Sequence, residues 1–542
     1  MKSMKRLHKG LIALTSTFAL TLALTACGGG GDDNNVGGGN VNQPPVDQPP
    51  LTGLVEPSDD AQVGGEAVWV IMSDVVSMDP VVSNDSASTD AQSQILEGLL
   101  WIRGDGEIHP LLAESFTRLD DLTWEFNLRQ GVYFHDGDYL TADAVVASFD
   151  RIDATTQVYF IFDVIAETVA IDTYTVHIIT HFPFAPLPSH LTHRGGFILS
   201  PSSIEEEQNG GRTIAENPVG TGPFRLDYRS HGDYIRFVRN DNYWGEQAFL
   251  DSLIFRVIPE PATRIAMVDI GEANGVIALL PDVPQIEATM QHTTLIMSPT
   301  ASANYIGFNT QGDGPLSNRY VRQALAMATN REDILYGIAE GVGILANSTL
   351  APMVAHSPEG LEALPFDPER AREILVEQGY GDGFTIRYWF NDGNSLRARV
   401  GELFQHNMAE IGVTVVIESL EWGAFLESTG EGNHDTFMLA WGVMTGDADY
   451  GTRPLFHSSL MGAGGNRFFI DNPELDRLLE AGMSADESER AAIYRQVSEL
   501  VIQESPMIPL FHPTTPIVLN GIGGFEINFG NTPFFRSVYL TN

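Results

Sequence analysis

The chain has 542 residues, enough to bury more than one core, and its 43% hydrophobic and 19% charged content describes a folded, soluble protein of two or three lobes. Asp and Glu outnumber Lys and Arg by 71 to 30, giving a formal net charge of −41. Such a field repels nucleic-acid phosphates and anionic membrane surfaces, which excludes nucleic acid as a partner. The only lysines are Lys2, Lys5 and Lys9, so the body of the chain has neither a Walker A lysine nor a Schiff-base lysine. Arginine alone carries positive charge after that and keeps it at any cell-surface pH. With the acidity, this fits saline or alkaline surroundings, and genomic base composition accounts for it equally well.

In chain order, Lys2, Lys5, Arg6 and Lys9 form a basic n-region before the apolar run Leu11 to Leu24, which is too short to span a bilayer comfortably. Leu24-Thr25-Ala26-Cys27 then resembles the bacterial lipoprotein box, which implies removal of residues 1–26 and acylation of Cys27. As the sole cysteine, Cys27 also rules out an internal disulfide and a thiol nucleophile in the folded body. Residues 27–64 are rich in Gly, Asn, Asp, Pro and Gln, have little to bury, and are expected to tether the body to the membrane.

From Glu66 the pattern is mixed α/β. Strand alternation marks Trp124 to Leu128, Tyr174 to Thr180, Tyr234 to Arg239 and Leu253 to Ile258, with turns at Gln130-Gly131 and Asp136-Gly137 around a second short strand. Helical spacing puts Val321, Ala324, Leu325 and Ala328 on one face, and Leu396, Val400, Leu403, Phe404, Met408 and Ile411 on another. Asp367-Pro368 opens a helix with a cap and a first-turn proline, and Gly379 closes it. There is no internal repeat, and no stretch after residue 27 is apolar enough to cross a membrane.

Several ordered motifs resemble family 5 of the bacterial extracellular solute-binding proteins, which serve dipeptide, oligopeptide, glutathione and nickel importers. They are Ser77-Met78-Asp79-Pro80, Ile95-Leu96-Glu97-Gly98-Leu99, Pro110-Leu111-Leu112-Ala113-Glu114-Ser115 and Phe126-Asn127-Leu128-Arg129-Gln130-Gly131-Val132. Phe134-His135-Asp136-Gly137-Asp138 follows, then Thr141-Ala142-Asp143 at the start of a helix ending near Phe149. Later come Pro218-Val219-Gly220-Thr221-Gly222-Pro223-Phe224, Asn242-Tyr243-Trp244-Gly245 and Tyr305-Ile306-Gly307-Phe308-Asn309-Thr310. The resemblance implies a two-lobed periplasmic-binding-protein-like (type II) α/β fold with two hinge strands. Lobe I would hold residues 65–93, 218–303 and 507–542, with a subdomain, 94–217, inserted in it. Lobe II would be 304–506.

The resemblance further implies a lipid-anchored, extracytoplasmic, monomeric component of an ABC importer that captures a short peptide or peptide-like solute and hands it to membrane permease subunits. The segment Leu439 to Tyr450 would touch ligand. In Thr445-Gly446-Asp447 the aspartate is the expected partner of the ligand ammonium, with Asp449 the competing assignment. A carboxylate shut in with an ammonium makes a charge-assisted hydrogen bond, which is the physical reason for expecting an acid there. Arg467, beside Asn466, is the first choice for the ligand carboxylate, and Arg397, Arg399 and Arg453 are alternatives that read as surface charges. The arginine that dipeptide-binding relatives place before the helix near Leu396 is absent, which argues against a pure dipeptide pocket. Trp441, Trp422 and Tyr305 would supply aromatic surface, or pack in the core.

Other chemistry finds little support. His190-x-x-His193 lacks neighbours to complete a metal site, so no metal or cofactor is expected, and a nickel chelate is at most a minor ligand. There is no Gly-x-Ser-x-Gly elbow, His-Glu-x-x-His or dinucleotide loop, and Pro223 spoils the bare Gly220-Thr221-Gly222 by removing a backbone donor. The chain is read as a binding protein and not an enzyme. A secreted hydrolase built on paired carboxylates is the rival from another class, and a signalling-peptide sensor is the rival within the binding class.

Overall fold

The computed structural model describes residues 63–541 apart from Gln291 and Gly464. The expected leader 1–26, Cys27 and the expected tether up to residue 62 lie outside the described residues. Two large sheets dominate. The first has seven strands in the order Phe224–Ser230, Tyr234–Arg239, Ser252–Val257, Glu66–Ile71, Gly275–Ile277, Thr514–Leu519 and Thr294–Pro299. At its centre Trp69 pairs in register with Gly275, where a Cβ would stand 2.3 Å from the indole ring. The glycine makes room for the tryptophan, which stacks on Phe525 with ring centroids 5.1 Å apart.

The second sheet has six strands in the order Ile344–Leu345, Met507–His512, Ser302–Phe308, Thr436–Gly442, Phe384–Asn391 and Val413–Leu420. Helices cover it, among them Arg319–Ala328 with Val321, Ala324, Leu325 and Ala328 all buried, as their spacing requires. Asp367 caps Pro368–Glu377 by accepting from the Arg370 N–H at 2.9 Å, and Gly379 takes φ +88° just beyond it.

Residues 94–217 contribute a four-stranded antiparallel sheet in the order Ala113–Arg118, Thr123–Leu128, Thr175–Thr180 and Ile165–Asp172. The second short strand expected around Gln130 to Gly137 is not formed. Only an isolated bridge, Tyr133 with Tyr139, is present there, because two turns leave too few residues to extend a ladder. Gly220 and Gly222 do not open a helix. A Cβ at either would strike the backbone of Ile95, at 2.2 and 2.7 Å, so both let two chain segments touch.

The chain passes between the large sheets twice, from Pro299 to Ser302 and from His512 to Thr514. Met507–His512, expected in lobe I, is instead bonded into the six-stranded sheet, with Ile306 opposite Ile508 and Gly307 opposite Met507. Residues 507 to 519 read as two apolar runs around His512-Pro513-Thr514-Thr515, and with prolines at 509, 513 and 516 nothing local singles out Pro513 as the change of sheet. Among the described residues no helix is long and apolar enough to cross a membrane.

On the crossing strand a Cβ at Gly307 would stand 2.5 Å from the Phe437 ring and 2.6 Å from the Phe468 ring. Gly307→Ala is therefore expected to lower the unfolding free energy by about 1–3 kcal/mol through overpacking. Urea titration checks this, and an unchanged midpoint would show that the rings give way freely.

Candidate functional site

A cavity of about 700 Å³ opens between the parts of the chain on either side of these crossings, within the size range of small-ligand sites. One wall carries Asp85, Glu97, Arg194, Tyr243 and Arg536, and the other Arg397, Trp422, Trp441, Tyr450 and Arg467.

Local structure aims the second wall. Glu421 caps Trp422–Gly430, whose residues Trp422, Leu426 and Gly430, four apart, turn one face to the cavity. Asn394 caps Ser395–Glu410 by accepting from the Arg397 N–H at 3.0 Å, which fixes Arg397 in the first helical turn. Its Nη1 donates to Asn391 Oδ1 at 2.6 Å and its guanidinium lies 5.9 Å from the Trp422 ring centroid. Arg467 Nη1 donates to the Leu426 carbonyl at 2.6 Å and Thr429 Oγ1 at 2.8 Å, so it is braced by the same helix. Neither arginine has a carboxylate in ion-pair range among the described residues, although each is only 9% exposed. Burial pushes both guanidinium pKa values down to about 10, and both remain charged at neutral pH. His434, bonded through Nε2 to the Arg467 carbonyl at 3.0 Å, is pushed down by burial to about 4 and adds no competing charge.

On the first wall Glu97 accepts from Tyr243 Oη at 2.7 Å, Trp244 Nε1 at 2.8 Å and Thr221 Oγ1 at 2.8 Å. Burial raises its carboxyl, and these three hydrogen bonds offset part of the rise.

The expected site residues divide. Trp441, Trp422 and Arg467 line the cavity, and so does Arg397, which is buried rather than a surface charge. Asp447 does not line it. Its Oδ1 and Oδ2 take a bidentate pair from Arg490 at 2.6 and 2.8 Å, and Oδ1 also caps Ala448–Phe456 by accepting from the Asp449 N–H. With both oxygens engaged inside the protein and the residue 4% exposed, Asp447 presents no free carboxylate to the cavity. Asp449, the competing assignment, is buried against His190 at 3.1 Å. Thr445 and Gly446 form the turn before it, with Gly446 at φ +72°.

Arg453 is likewise no surface charge, being paired with Asp163 at 2.5 Å and donating to the Phe160 carbonyl. Asn466 braces its own loop through the His457 and Ile470 carbonyls. Tyr305 packs between Phe437 and Phe468 in the core. Arg399 is half-buried and donates to the Gly337 carbonyl. His193 meets Tyr450 Oη at 3.3 Å, and among the described residues no three metal-ligating side chains converge. Asp85, Arg194 and Arg536 were not anticipated, since each sits in a stretch with no motif of its own.

Residues 107–463 match the family model described as bacterial extracellular solute-binding proteins, family 5. The chain belongs to that family. It is 31% identical over 458 residues to the glutathione-binding protein GsiB of Salmonella typhimurium, covering 82% of this chain and 88% of that protein. Among solved structures it resembles the ABC transporter-associated periplasmic binding protein DppA of Helicobacter pylori in complex with the peptide STSA, at 28% identity and TM-score 0.83, covering 89% and 99% of the two chains. A dipeptide-binding protein of Pseudoalteromonas sp. SM9913 in complex with Met-Leu shares the fold at TM-score 0.83 and 24% identity, over 88% and 100%. The fold is the type II α/β binding-protein fold, and the family is one of extracellular solute-binding proteins.

Asp447→Asn is expected to lower stability by about 3–5 kcal/mol, the cost of stranding a buried guanidinium. The protein that remains folded should bind its solute as tightly as before. Thermal unfolding and calorimetry separate the two effects, and a variant that loses affinity without losing stability would return Asp447 to the site.

Proposed function

We propose that this chain is the solute-receiving component of an ABC importer, and that it binds a short peptide-like solute by a terminal carboxylate seated between Arg397 and Arg467. The observation that carries this reading is the pair of buried, charged guanidiniums on the cavity wall with no carboxylate in ion-pair range among the described residues. A buried cation without a counterion is costly, and a ligand carboxylate supplies one with directed hydrogen bonds. Arg397 also sits at a helix N-terminus, where the helix dipole favours an anion. Trp422 and Trp441 offer apolar surface beside it.

Two relatives agree in kind, since one is a glutathione-binding protein and another is seen with a tetrapeptide. In this reading the solute bridges the two walls, the closed form docks monomerically on a permease, and no bond of the solute is broken.

Titration calorimetry with glutathione and short peptides, each against its C-terminal amide, tests the reading. The free acid should bind more tightly, and Arg397→Gln should cost about 2–5 kcal/mol of that affinity. An amide that binds as well as the acid would overturn it, and release of cleavage products would favour a hydrolase.

Anchoring through Cys27 belongs to the same reading, resting on the motif Leu24-Thr25-Ala26-Cys27. Cys27→Ser should move the protein from the membrane fraction to the soluble fraction and abolish incorporation of labelled palmitate. Labelling that survives the substitution removes the anchor from that residue.

A further inference from the structure

Helix Ala448–Phe456, buried along its whole length, belongs to the lobe of the six-stranded sheet, since it follows the strand Thr436–Gly442. Segment 94–217 belongs to the other lobe, being inserted between the strands Glu66–Ile71 and Phe224–Ser230 of the seven-stranded sheet. Side-chain contacts between the two therefore cross the cleft. Arg453 pairs with Asp163 at 2.5 Å and donates from Nη1 to the Phe160 carbonyl at 2.7 Å. One helical turn earlier, on the same face, Asp449 Oδ2 lies 3.1 Å from His190 Nε2. Tyr450, next to Asp449 and on the cavity wall, stacks on Phe160 with ring centroids 6.2 Å apart and meets His193 Nε2 through its hydroxyl.

The surroundings of His190 fix its protonation in this arrangement. Its Nδ1 lies 2.8 Å from the Ile161 carbonyl oxygen, which can only accept, so Nδ1 carries a hydrogen. Its Nε2 faces the Asp449 carboxylate, which also only accepts. Burial raises the Asp449 carboxyl, but His190, Arg453 and Arg490 outweigh it and hold the group below its usual range, so it is ionised. Both ring nitrogens are answered only when both carry protons. A count of charges agrees. Asp163, Asp447 and Asp449 meet here with two arginines, and Arg453 is paired with Asp163 while Arg490 is paired with Asp447. His190 is the cation left for Asp449. The other groups around the ring do not replace it: Phe184 packs against it edge to face, and Tyr494 offers Asp449 a hydroxyl at 3.5 Å. Burial and Arg194 hold His193 well below its usual range, so it is neutral, and Arg194 itself is tied to the Ser83 and Asp85 carbonyls. A neutral His190 would strand a buried carboxylate as long as the lobes stay together, whereas separation returns Asp449 to water.

We propose that His190 and Asp449 form a proton-dependent clasp across the cleft, so that the closed form holds a proton on His190 and opens more readily as pH rises. The sign follows from linkage: closure favours the imidazolium, so the clasp is complete at acid pH and is lost as the ring gives up its proton. Arg453 and Asp163 make a second pair beside it that keeps its charges throughout. The clasp touches no solute, so it goes beyond the peptide-like reading and does not depend on it.

Small-angle X-ray scattering of the unliganded Cys27→Ser chain at pH 6 and pH 9, at one ionic strength, tests the clasp without any solute. The radius of gyration should be larger at pH 9. His190→Gln should be as open at pH 6 as its parent is at pH 9, and should show no shift between the two. Arg453→Gln should enlarge the radius at pH 6, because it removes the neighbouring pair. Circular dichroism at both pH values establishes that each chain is folded, and the comparison within the parent needs no cleft variant at all. A parent radius that is the same at pH 6 and pH 9, or a shift that persists in His190→Gln, overturns the proton-dependent clasp. An Arg453→Gln radius equal to the parent's at pH 6 would show that these contacts do not hold the lobes together, and would overturn it as well.

Discussion

The structure depends on one antiparallel pair of strands that runs through both large sheets. Thr294–Pro299 and Thr514–Leu519 are neighbours in the seven-stranded sheet, and their continuations, Ser302–Phe308 and Met507–His512, are neighbours in the six-stranded one. The two crossings must therefore lie side by side, and the cavity opens next to them. At the crossing Pro513 has no N–H to give, so it contributes no ladder bond as a donor. Its carbonyl accepts instead from Thr300 Oγ1 at 3.0 Å, while His512 Nδ1 donates to the Ser302 carbonyl at 2.9 Å. Side-chain bonds replace part of the ladder where the sheets meet, so a change of angle there disturbs little backbone pairing. Hinges are a few element-terminal residues of this kind.

Charge is used in two opposite ways around the cavity. The Asp447 and Arg490 pair is closed: its bidentate geometry repays the desolvation of two ions, and Tyr494 and Glu487 border it. That pair fixes the start of Ala448–Phe456, and with it Tyr450 against the ring of Trp441, whose Nε1 donates to the Tyr450 carbonyl at 2.9 Å. The arginines at 397 and 467 are open, bonded to neutral oxygens that orient them without cancelling their charge. A closed pair a short way along the chain sets the shape of a surface on which the open charges stand.

Local signals in the sequence carried much of the architecture. The strand Tyr234–Arg239 and the capped helix after Asp367 each follow from periodicity and end residues within a few positions, and the motif Thr141-Ala142-Asp143 places the helix Ala142–Phe149. The family motifs supplied the layout that periodicity could not. What stayed illegible is pairing at a distance. Asp447 in a Gly-rich turn reads as a free carboxylate until Arg490, 43 residues later on another helix, is seen to hold it. Arg397 reads as a polar residue on a helix face, because nothing local says that its first turn points inward. Asp85 and Arg194, 109 residues apart, meet only through tertiary folding. The change of sheet falls at Pro513, yet with prolines at 509, 513 and 516 each is as readily taken for an edge-strand residue.

The overall charge of −41 and the two buried arginines, Arg397 and Arg467, on one cavity wall are compatible because they act over different distances. Surface carboxylates are screened beyond a Debye length of about 10 Å at 0.1 M salt, and far more closely in brine. Guanidiniums that are nine-tenths buried keep their field, since little water or salt reaches them. A carboxylate of the kind proposed, approaching through concentrated salt, meets a faded repulsion outside and the little-screened field of Arg397 and Arg467 within. At low ionic strength the same surface slows its entry, so the acidity costs this binding site least in saline surroundings, where an all-arginine, carboxylate-rich chain is also well placed to stay soluble.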